Sequence, residues 1–276
     1  MLEGLKILLA EDNPTNQMVA VQMLEALGAG VTVAADGVEA LAIVERDAFD
    51  ILLIDIEMPR KNGIDVIRTL RASGGRNAGL PMIALTAYVM REHRQAIDAA
   101  GADGVIAKPI ISIAEFGRQL LDLCGPRRRA AGPLQGRDAS RASADPDAQH
   151  GSTAGGPVSA LAARPTMNMA TLAMLREAVG IEALAEILEK AEADLLDAGA
   201  QISQGFASGN PDAVRRGLHI LTGLAGTVGA ERLEAAARAC QDAAQADDQR
   251  AAETFIQSLS AEITAALAGL GAARAG

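Results

Sequence analysis

Leu5-Lys6-Ile7-Leu8-Leu9-Ala10-Glu11-Asp12-Asn13-Pro14 is the stretch whose reading decides the fold. A short apolar run ends in two acids and an Asn-Pro pair, after which Val19, Met23, Leu24 and Leu27 recur at helical spacing. That order predicts strand, loop, helix. The same unit returns four times downstream: Val31–Ala34 with Val38–Glu45, Ile51–Ile54 with Ile64–Arg71, Pro81–Leu85 with Glu92–Ala100, and Val105–Ala107 with Ala114–Leu123. Five such units imply an α/β doubly wound five-stranded parallel sheet with helices on both faces.

In open sheets of this kind, chemistry collects beyond the carboxyl ends of the strands, near the point where strand order reverses. Here those ends carry Glu11 and Asp12, then Asp55, Thr86 and Lys108. With order 2-1-3-4-5, strands 1 and 3 are neighbours and three carboxylates crowd one pocket. Such crowding calls for a cation, and hard oxygen donors suit Mg²⁺. Taken singly, a strand-end Asp is a turn or cap residue and a Lys is a solvated charge. Acids, hydroxyl and ammonium converging from four strands instead describe a site for a phosphoryl group.

These residues resemble the receiver domains of two-component response regulators, flavodoxin-like in fold, over about residues 4–124. The resemblance rests on Ala10-Glu11-Asp12-Asn13, Asp55-Ile56-Glu57-Met58-Pro59 with Asn62-Gly63, Leu85-Thr86-Ala87, and Lys108-Pro109. It implies that Asp55 is the phosphoacceptor and that Mg²⁺ is held by Glu11, Asp12, Asp55 and the main-chain carbonyl of Glu57. Thr86 and Lys108 would contact the phosphoryl oxygens, and Lys108-Pro109 would be a cis peptide. One departure is Val105, three residues before the lysine, where receivers often carry Tyr or Phe. The departure favours a domain that passes phosphoryl groups on over one that signals by changing shape.

The chain has 276 residues, 49% of them hydrophobic, and a formal charge of -10. An acidic chain of pI near 4.9 lacks the basic face that nucleic acid or anionic membrane would need. Cys124 and Cys240 have no metal-type spacing and read as small apolar residues. No apolar run is long enough to span a bilayer and no signal-peptide pattern opens the chain, so a cytoplasmic location is expected. From Gly125 to Pro165 the periodicity stops and five of the ten prolines gather. This reads as a flexible linker over 125–165 spanning roughly 35 Å, with Arg127-Arg128-Arg129 as solvated charge.

Beyond it, Ile181, Leu184, Leu188, Ala191, Leu195, Ala198, Ile202 and Phe206 mark a long amphipathic helix. Asn210-Pro211 caps the next helix, whose apolar stripe is Val214, Leu218, Leu221, Ala225 and Val228. Leu233 to Ala244 and Phe255 to Leu270 supply two more, and a lead helix over about 169–179 completes an antiparallel four-helix-type bundle at 166–276. His219 points away from its helix's stripe and is expected to face water. Gly223 and Gly226 leave space on its side, whereas Arg215 and Arg216 bring positive charge. His93 and His150 have no such setting.

The His219-x-Leu221-x-Gly223-x-Ala225-x-x-Val228-Gly229-Ala230 pattern resembles the histidine phosphotransfer (HPt) domain over about 166–270. That resemblance implies a phosphorylatable His219 supported by Arg215, Arg216 and Gly223. Thr222 stands where the family commonly has a lysine that would help neutralise the phosphoryl group. No nucleotide-binding GxxxxGK[ST] pattern is present, so the expectation is a phosphorelay protein rather than a kinase. Asp55 would be charged by a sensor or hybrid histidine kinase, and His219 would exchange with other receiver or HPt proteins. The rival expectations are a phosphorylation-gated binding module and a phosphate sink.

Overall fold

The computed structural model describes residues 1–87, 91–124, 163–245 and 249–275, so the linker expected over 125–165 lies outside the described residues up to 162. The first part is a five-stranded parallel sheet in the order β2-β1-β3-β4-β5. Its strands are β1 (Lys6–Ala10), β2 (Gly30–Ala34), β3 (Ile51–Asp55), β4 (Met82–Thr86) and β5 (Gly104–Ala107). The helices between and after them are α1 (Pro14–Ala26), α2 (Gly37–Arg46), α3 (Gly63–Ala72), α4 (Gly75–Ala78), α5 (Arg91–Ala100) and α6 (Ile113–Cys124). Of these, α4 is a single short turn with no counterpart in the sequence reading. Strands β3 and β4 are buried at every residue, as a sheet covered on both faces requires.

Local chemistry sets the helix starts. Asn13 accepts from the Asn16 N–H and Pro14 takes the first helical position of α1, where a missing N–H costs nothing. Asp36 and Asn62 cap α2 and α3 in the same way. Gly63 is required by its surroundings, because a Cβ there would collide with the Asp55 carbonyl oxygen.

The second part begins with α7 (Met169–Val179), capped by Asn168, and turns through Gly180, whose φ of 85° is left-handed. Four longer helices follow: α8 (Ile181–Ala207), α9 (Pro211–Thr227), α10 (Glu231–Gln245) and α11 (Gln249–Ala275). Connections of a few residues make consecutive helices antiparallel, and α11 closes the bundle against α8. Leu188, Leu195, Leu218, Leu221, Leu224, Leu233 and Leu259 fill its core. Among the described residues no helix is long and apolar enough to cross a membrane.

The two parts are packed against each other. Leu175 of α7 and Ile187 of α8, both fully buried, belong to the hydrophobic cluster that α1 and α6 build on one face of the sheet, with Val19, Met23 and Phe116. Leu172, three residues before Leu175, lies instead in the core of the bundle. The short α7 therefore has one side in each core.

Candidate functional site

Four strand ends deliver the predicted residues. Glu11 and Asp12 follow β1, Asp55 ends β3, Thr86 ends β4, and Lys108 follows β5 with its N–H donated to the Thr86 carbonyl at 2.8 Å. The Lys108-Pro109 bond is cis. Lys108 Nζ is 2.7 Å from Asp55 Oδ2 and 2.6 Å from Glu11 Oε2, in a setting where Asp55 is wholly buried. Burial alone would raise the Asp55 pKa, but the lysine and His219 outweigh it and hold the carboxyl at about 2. The same two carboxylates lift Lys108 above its ordinary value against its own burial.

Asp12 is in the opposite position. Burial, with Asp55 and Glu11 close by, pushes its carboxyl up to about 7. Its Oδ1 is buried with no hydrogen-bond partner. An orphaned carboxylate oxygen beside a second carboxylate is what a divalent cation would satisfy, so the residues fit one. Asp12, Asp55 and His219 each offer a ligand atom within 4.8 Å of the others. Glu11, expected in the same set, lies beside them with both oxygens engaged. Its Oε2 is engaged by Lys108, and its Oε1 accepts from Asn16 Nδ2 at 3.1 Å. Both oxygens thus serve the lysine and α1 in this arrangement.

His219 corrects the expectation of an imidazole in water. The residue is only 7% exposed, because the strand-end face of the sheet domain covers the flank of α9 that the bundle leaves open. Nε2 lies 3.7 Å from Asp55 Oδ2, and Nδ1 lies 3.0 Å from Glu57 Oε2. The Glu57 contact is short but not aligned as a hydrogen bond, so Nδ1 has no acceptor in line with its N–H. Burial would lower the imidazole pKa, yet Asp55 and Glu57 together raise it to about 10.

The space beside Gly223 and Gly226 is taken up by Asn16 and Pro109 of the sheet domain. Thr227 Oγ1 donates to Asn16 Oδ1 at 3.1 Å. Below them, Asp194 of α8 sits over the start of α1 and accepts from Thr15 Oγ1 at 2.7 Å, from the Thr15 N–H at 3.3 Å and from Asn13 Nδ2 at 3.4 Å. A void of about 20 Å³ remains between Glu11, Asn16, Lys108 and Thr227. On the other side a groove of about 1040 Å³ leads out past Asp12, Glu57, Arg216 and His219.

Arg215 and Arg216 line the groove together with His219. Both are exposed at the rim of this groove, and Arg215 is paired with Asp212 at 2.9 Å. Thr222 is buried and turned toward α10, its hydroxyl 2.9 Å from the Leu218 carbonyl and 3.0 Å from Gln241 Oε1. Val105 packs half-buried against the cluster of Leu52, Ile54 and Met82. Sequence reasoning missed the Glu57 side chain, Asp194, Thr15, Asn16 and Thr227. The available sign was Asp194, a carboxylate on the flank of an otherwise apolar stripe.

Comparison with known proteins accounts for both parts. Residues 7–116 match the model of the response regulator receiver domain, and residues 179–272 match that of the Hpt domain. The chain is 35% identical over 107 residues to the sensor protein GacS of Pseudomonas syringae pv. syringae, covering 38% of this chain and 12% of that protein. It is 38% identical over 109 residues to the aerobic respiration control sensor protein ArcB of Escherichia coli, covering 40% of this chain and 14% of that one. The matched region thus spans 12–14% of the length of these curated relatives. Among solved structures, the receiver domain of the sensor histidine kinase PA1611 from Pseudomonas aeruginosa, with a magnesium ion in its active site cleft, is 39% identical. The match covers 44% of this chain and 98% of that chain with a TM-score of 0.42. Residues 7–116 are a response regulator receiver domain, and residues 179–272 are an Hpt domain.

Proposed function

We propose that this protein is a phosphorelay intermediate in which Asp55 accepts a phosphoryl group from a phosphohistidine donor and exchanges it with His219. The observation that carries this reading is the 3.7 Å between His219 Nε2 and Asp55 Oδ2, with Lys108 on the same carboxylate oxygen. Asp55 is held as the anion by Lys108, so a carboxylate oxygen is available to attack phosphorus and displace the donor imidazole. In the onward step the Nε2 lone pair of a neutral His219 forms the N–P bond. The P–O bond to Asp55 breaks, and its electron pair returns to the carboxylate. The imidazole must first release its Nε2 proton to solvent through the groove that His219 lines, keeping the one on Nδ1, which faces Glu57. Lys108 stays beside the oxygen that gains charge, as the donor to a leaving carboxylate should.

Glu11, Asp12, Asp55 and the main-chain carbonyl of Glu57 would hold Mg²⁺, with Thr86 and Lys108 turned to the phosphoryl oxygens. When bound, the ion supplies positive charge against those oxygens. The donor would be a sensor or hybrid histidine kinase, in keeping with relatives that are sensor proteins by name. The receiver and Hpt domains would each act as a carrier of the phosphoryl group.

The test is phosphorylation of the whole chain by acetyl phosphate and Mg²⁺, followed by separation of acid-labile phosphohistidine from aspartyl phosphate. Wild type should carry both. His219→Gln should carry only aspartyl phosphate, and Asp55→Ala neither. Phosphohistidine in Asp55→Ala, or its absence in wild type, would overturn the reading.

A further inference from the structure

We infer that α7 and Asp194 fasten the Hpt domain to the receiver of its own chain, so that Asp55 and His219 exchange the phosphoryl group in cis. This rests on the relay reading above and adds the partner to it: the domain that meets His219 is the one already present in the chain.

Three observations point the same way. The first is α7 itself. The Hpt match begins at residue 179, whereas α7 occupies Met169–Val179 and so lies ahead of it. This short helix puts Leu172 in the bundle core and Leu175 in the receiver cluster, neither more than 4% exposed. A surface meant for transient encounters keeps a polar, separable face, whereas these two leucines join two cores as one.

The second is the buried polar contact. Asp194 takes both donors of Thr15 and the amide of Asn13 at the N-terminal end of α1, where a helix presents unpaired N–H groups and positive potential. Lys190, 3.5 Å away on the same helix, is its partner from the other side. Thr227 to Asn16 adds a second polar tie two turns beyond His219.

The third is occlusion. With His219 Nε2 at 3.7 Å and its own side chain wholly buried, Asp55 has no room for the imidazole of another protein, while the groove past Arg216 reaches Asp12, Glu57 and His219 beside it. Docking therefore favours exchange within the chain and shuts out other histidine domains until the bundle lifts away. In the cis step the P–O bond to Asp55 breaks as the N–P bond to His219 Nε2 forms, the electron pair returning to the carboxylate.

The experiment follows phosphohistidine formation at His219 in the full chain, fed by acetyl phosphate and Mg²⁺, over a hundredfold range of protein concentration. Exchange in cis gives a rate per molecule that does not change with concentration. Asp194→Ala and Leu175→Ala should each slow it at least tenfold and lower hydrogen-exchange protection of α1, and both chains should keep their helical circular dichroism. Mixing Asp55→Ala with His219→Gln chains should give transfer that is second order and far slower. A rate proportional to concentration, or unchanged transfer and protection in both variants, refutes the cis inference and leaves the relay standing. Absence of phosphohistidine in the wild type and in the mixture at every concentration refutes the relay itself.

Discussion

Replacing Leu175 by Ala is the perturbation that separates the two cores most cleanly. The side chain is fully buried among receiver residues although it belongs to a helix that leads into the bundle. Truncating a buried leucine costs about 2–5 kcal/mol. A middle value of about 3 kcal/mol lowers the ratio of docked to undocked molecules by about two powers of ten. Most of it should fall on docking, since Leu175 is buried among receiver residues and not in the core of the bundle. Leu172→Ala is the control, because its cavity opens in the bundle core. Scanning calorimetry reads the difference. Wild type should melt with receiver and bundle coupled, Leu175→Ala should resolve two transitions, and Leu172→Ala should lower the bundle transition. A single unshifted transition in Leu175→Ala, with α1 amides as protected as before, would refute the assignment of Leu175 to the junction.

Other outcomes follow from the same geometry. Lys108→Met leaves Glu11 and Asp55 buried without their shared cation; removing one partner of such a buried pair costs about 3–5 kcal/mol, which urea unfolding in the absence of Mg²⁺ should register. Gly63→Ala would drive a methyl group into the Asp55 carbonyl, so acceptance of phosphoryl from acetyl phosphate should fall together with stability, and a wild-type level of labelling would show that the loop has slack. Thr222→Val removes the bond to Gln241 at a cost of about 1 kcal/mol in chemical denaturation, while transfer to His219 should stay near the wild-type rate; a marked loss of transfer would return Thr222 to the reacting centre.

The sheet was legible because its signals are local. Five apolar runs that end in polar residues, and caps at Asn13, Asp36 and Asn62, fix strand ends and helix starts without reference to the rest of the chain. The residues at those ends then converge because parallel topology leaves them no other place. The bundle stripes were legible for the same reason. Ile187 and Asp194 escaped notice because they lie on the second flank of α8, outside the stripe that repeats through Leu184, Leu188 and Leu195. Helical periodicity reports that a helix has one buried face, and it is silent when a second face meets another domain.

His219 carries that point to the chemistry. From α9 alone, a polar side chain opposite an apolar stripe belongs in water, and two glycines beside it are open space. In the docked chain Asn16 and Pro109 fill that space, and the imidazole lies between two carboxylates. From Gly217 to Thr227 every residue of α9 is buried except Ile220, which is half-buried. The helix is therefore covered on two flanks, one by its own bundle and one by the receiver. A histidine that its own helix would leave in water becomes a buried base 3.7 Å from a carboxylate only because a second domain closes over it. The reactivity of His219 is thus a property of the docked pair, and whatever controls docking controls the chemistry.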